Sequence, residues 1–110
     1  MNPTNQEYSE REWKLFRAHQ PQMREALCRR INAASLEILQ DEELSEHERY
    51  LKLFAHVRDS DEVVASCFND WRRSRLSVIA GSLAQEKLIP DNLWNELPEP
   101  IQERIRSWLG

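Results

Sequence analysis

Glycine is almost missing from this chain: two residues in 110, Gly81 and Gly110. Sheet proteins spend glycine on hairpin turns, and phosphate-cradling loops use it where the backbone approaches an anion. The chain has room for few of either. Cysteine is scarce as well. Cys28 and Cys67 stand alone, neither in a C-x-x-C pair, and both fall in or beside apolar helical stripes, where a free thiol behaves as a small hydrophobe. No run approaches the ~18 apolar residues needed to span a bilayer, and Met1 to Glu10 is polar rather than a secretory leader. The expected setting is the reducing cytoplasm, with no membrane partner. Basic excess is lacking too: the net charge is -4. Overall charge therefore supplies no nucleic-acid footprint, and a local patch is the only route to one.

What the chain does contain is helical periodicity. Ser9-Glu10-Arg11-Glu12 is a capping box, with Ser at the N-cap and Glu three residues on. Behind it Trp13, Phe16, Gln20, Met23, Leu27, Ile31, Ala34 and Ile38 recur at gaps of 3 and 4, one face of a helix. Pro21 falls inside the stripe without shifting its phase, which predicts a helix over about 10–40 kinked near that proline. A second capping box, Ser45-Glu46-His47-Glu48, follows an acidic turn. Tyr50, Phe54, Val57, Asp61, Val64, Phe68, Trp71, Arg75, Ile79 and Leu83 then hold helical phase. The preferred reading is one helix over 46–88. The alternative breaks near 59–60, where Asp59 or Ser60 can serve as an N-cap, and gives a three- to four-helix bundle.

Pro90 stops the pattern, Asp91 caps a short turn, and Pro98 and Pro100 open a last helix carrying Ile101, Ile105, Trp108 and Leu109. One domain spans 1–110, with a polar arm over 1–8 and a C-terminal helical segment over 91–109. The fold class is all-α, a long antiparallel hairpin with the C-terminal segment folding back. Pairing about the turn sets Ile38 near Tyr50, Ile31 near Val57, Met23 near Val64 and Phe16 near Trp71.

No catalytic constellation emerges. His19, His47 and His56 lack the Glu-x-x-His and H-E-x-x-H spacings of helical metal sites. The acidic stretch Asp41 to Glu48 lacks the alternation and glycine of a calcium loop. Cys28, flanked by Arg29 and Arg30, reads as a packed residue rather than a nucleophile. No cofactor, metal or catalytic residue is expected, and no enzyme. The unusual stretch is Trp71-Arg72-Arg73-Ser74-Arg75, which with Arg29 and Arg30 makes the only basic concentration. Only Arg73 has a carboxylate at helical spacing, Asp70, so Arg72 and Arg75 are expected to pair across helices or with another molecule. Asp61 and Arg75 interrupt the apolar face, where polar residues set register or partner choice. The expectation is a non-enzymatic helical interaction module (adaptor, inhibitor or assembly factor) that binds protein and self-associates, with a homodimer as the simplest form. The alternative is a small nucleic-acid-binding regulator using Arg72, Arg73, Arg75, Arg29 and Arg30.

Overall fold

In a computed structural model, which describes residues 8–110, both capping boxes form. The Ser9 amide donates to Glu12 Oε1 at 2.9 Å, and Ser45 and Glu48 exchange bonds of 2.8 and 3.1 Å. They start α1, Glu10–Leu39, and α2, Glu46–Phe68, which run antiparallel across the turn. α1 passes through Pro21 unbroken. The proline leaves the Arg17 carbonyl without its amide partner, a cost that water meets because Pro21 is exposed. The expected polar arm lies outside the described residues except for Tyr8. That residue is in the core, its ring edge-on to Phe16 at 5.9 Å.

The second helix neither reaches 88 nor breaks at 59–60. It stops at Phe68. Asn69 turns extended, and Asp70 adopts φ 57°, a left-handed conformation that Asp tolerates better than most residues. Four interactions hold the break. The Trp71 indole donates to the Cys67 carbonyl at 2.7 Å, closing the helix end, and its ring stacks on Phe68 at 6.2 Å. The Asp70 carboxylate takes Arg72 at 2.7 Å and Arg75 at 3.6 Å. Hydrophobic phase alone could not reveal this, because a reversal that happens to preserve phase leaves the stripe looking continuous.

After a 3-10 turn, Arg73–Arg75, helix α3, Leu76–Gln85, doubles back along the hairpin, and Arg30 of α1 meets Glu86 at its end at 3.5 Å. Ile79 and Leu83, which an unbroken second helix would carry past the start of α1, are fully buried with Leu76. α3 ends before Pro90 because Lys87 also takes φ 57°. The Leu88 amide then bonds to Leu83 O at 2.9 Å and the Lys87 amide to Ala84 O at 3.0 Å. This is a Schellman cap, with Leu88 and Leu83 both buried as its apolar contact.

The C-terminal segment folds back as expected. α4, Asp91–Trp94, and α5, Glu99–Ser107, bury Leu93, Leu97, Ile101 and Ile105. Arg11 donates to the Glu96 carbonyl at 3.2 Å, tying this segment to the start of α1. Trp108 lies on Gly81, so close that a β-carbon there would run into its ring. The described residues contain helices and no strand. The molecule measures 59 × 26 × 24 Å with a radius of gyration of 17.0 Å, against about 13 Å for a compact domain of this size. The core sits at one end.

Lysine at a left-handed cap carries roughly 1 kcal/mol of backbone strain that glycine avoids. Lys87→Gly is therefore expected to raise unfolding stability by about 0.5–1 kcal/mol, read from the urea midpoint at unchanged slope. An unchanged or lower midpoint contradicts the cap.

Candidate interaction surface

The row of α2 that meets α1 is Arg49, Leu53, His56, Ser60, Val63 and Cys67, all at least half-buried. His56 Nε2 donates to the Ile31 carbonyl at 3.1 Å, so the register derived from the turn holds there. The expected seam of Tyr50, Phe54 and Val57 does not form. Those three are 62, 59 and 50% exposed. α2 is turned by about one residue, or ~100°, from the orientation its apolar stripe implied. Lower down, Phe16 and Met23 are fully buried, Val64 and Trp71 are half-buried, and Trp71 meets the ring of Trp13 at 5.9 Å.

The cause is the position of α3. It covers the other side of the hairpin, where Glu86 joins Arg30, Ala34, His56 and Val63. Ten residues of helix extend about 15 Å, so α3 shields only the half of the hairpin nearest the break. Among the described residues nothing covers one face of the far half. On α2 that face carries Tyr50, Phe54 and Val57, and on α1 Leu36 and Leu39, all about half exposed or more. A groove of about 470 Å³ runs along it between the helices, lined by Cys28, Ile31, Asn32, Phe54, Val57 and Val64. Asp61 also lines the groove, at its edge rather than in a seam.

Charge is graded along this face. The turn end holds Asp41, Glu42, Glu43, Glu46 and Glu48, with Arg49 bonded to Glu46 at 2.8 Å. Capping bonds from Ser45 hold the Glu48 carboxyl below the usual carboxylate range. Toward the core end α1 exposes Lys14, Arg17 and Arg24, and Arg17 lies over the Trp13 ring at 5.8 Å. Among the described residues no group of three or more His, Cys, Asp or Glu is arranged to hold a metal ion.

The arginines singled out in the sequence fall into two separate places. Arg72 and Arg75 share Asp70, and Arg73 crosses to Glu10 at 2.9 Å. The partners are the reverse of those that helical spacing implied, because the chain is not helical at 69–72. Arg30 pairs with Glu86, and Arg29 is exposed. Glu10 and Arg30 are twenty positions apart on one helix, or about 30 Å, so these side chains form no single stripe. Exposed pairs of this kind contribute about 0–1 kcal/mol each. The exposed face is the more apolar row of α2, which is why its periodicity pointed to the seam; the seam that formed includes Arg49, His56 and Ser60, which no apolar period could mark.

The fold defines a class: an all-α hairpin closed at one end by short helical elements and bare at the other. No helix among the described residues is long and apolar enough to cross a membrane. No protein-family model matches the chain, no curated protein matches it, and no solved structure matches it.

Two outcomes follow from the uneven core. Phe16→Ala is expected to cost about 3–5 kcal/mol and Phe54→Ala less than about 0.5 kcal/mol, by denaturant unfolding of dilute protein; equal losses would contradict the division. Burial pushes the Cys67 thiol up from 9.0 to about 11. The folded state thus holds this proton where the unfolded state releases it. The corresponding stability is intact below pH 9 and is expected to decline toward pH 11, a decline that Cys67→Ala removes in pH-dependent unfolding.

Proposed function

We propose that the protein is a non-enzymatic helical interaction module, an adaptor, inhibitor or assembly factor, which binds protein through the bare face of its hairpin and self-associates. One observation carries this reading: Leu36, Leu39, Tyr50, Phe54 and Val57 stand exposed together on a two-helix scaffold. Apolar surface gathered in this way marks binding sites, whereas single exposed hydrophobes are ordinary. The reducing cytoplasm is the proposed setting, and two free cysteines suit it. Nucleic-acid binding draws less support. It asks for one exposed arginine stripe, and these arginines are divided and mostly engaged with carboxylates of the same chain.

The test is affinity capture from native extract with the tagged wild type and with Phe54→Glu/Val57→Glu, both checked by circular dichroism. A specific protein, either the untagged chain or another, is expected on the wild type and absent from the variant. Equal capture by both, or by neither, overturns the reading.

A further inference from the structure

Resting on that reading, we infer that the bare face is covered by a second copy of this chain, laid antiparallel across it to make a twofold four-helix bundle.

Area is the first reason. Five large apolar side chains, each about half exposed, present on the order of 500 Å² of apolar surface. That is near the upper limit of what a lone chain leaves wet. With a polar rim it approaches the ~800 Å² per partner typical of stable complexes. A long two-helix face with a groove down its middle also matches the shape of its own copy, helix against helix.

Charge decides the orientation. A twofold axis along the helices sets the two acidic turns side by side, with five carboxylates on each. Such juxtaposition of like charge is unfavourable. An axis across the helices reverses one copy and carries each turn toward the middle of the other's α1. His56 on Ile31 fixes the hairpin register, which sets Phe54 level with Ala33. With the axis at that level, midway along the bare face, Phe54 meets the second copy's Phe54. Arg24 comes level with the second copy's Glu42, and Asp61 with its His47. Arg24 lies one turn before Cys28 on the same side of α1, and neither it nor Glu42 or Glu43 has an ion-pair partner among the described residues. The polar residue that interrupts the stripe, Asp61, thereby gains a hydrogen-bonding side chain to face.

Light scattering after size exclusion, across rising concentration, reads the first part. The wild type is expected to become a dimer and Phe54→Glu to remain a monomer with an unchanged helical spectrum. A charge swap reads the orientation. Arg24→Glu and Glu42→Arg/Glu43→Arg are each expected to weaken self-association by about tenfold. An equimolar mixture of the two restores both contacts and is expected to form the heterodimer. A wild type that stays monomeric at every concentration overturns the inference; if Phe54-dependent capture of another protein persists, the interaction reading still stands. A dimer in which the charge variants pair with themselves as well as with each other overturns the antiparallel arrangement.

Discussion

The reversal of the chain at residues 69–72 is the constraint on which the rest of the structure depends. If α2 had continued, Ile79 and Leu83 would have projected past the start of α1 with nothing to cover them. Instead Asp70 turns left-handed, its carboxylate binds Arg72 and Arg75, and Trp71 closes the helix end on Cys67. α3 is thereby laid back on the hairpin, and Leu76, Ile79 and Leu83 become the centre of the core. The arginine cluster that resembled a binding patch is in large part the fastening of this turn.

The same reversal produces the bare face. A short α3 returning along one side buries that side and only that half, while the C-terminal segment fills the end near Tyr8 and Phe16. The far half of the hairpin remains two helices, and two helices alone bury only the row that faces the partner. The half-polar row with His56 and Ser60 takes that place, and the more apolar row is left beside it. Structure and proposed activity are linked at this point: the surface offered for binding is the part of the hydrophobic stripe that α3 does not reach.

Most of the architecture was legible in the sequence. Two capping boxes located both helix starts within a residue, because a cap is a local hydrogen-bond pattern written in four consecutive side chains. The antiparallel register followed from the shortness of the turn, and His56 on Ile31 agrees with it. The end of α2 was not legible. Neither proline nor glycine marks it, and Asp70 and Lys87 occupy left-handed positions usually filled by glycine.

Composition and periodicity alone settled that the fold is helical and where its long helices begin, since each of these rests on neighbours a few positions apart; the return of the last segment was legible from its apolar residues, which need cover. Which side of α2 faces α1, where the second helix stops and which apolar residues remain in water were decided only in three dimensions. Those outcomes depend on competition between rows of one helix for a limited covering surface, and that surface is supplied by residues far away in the chain.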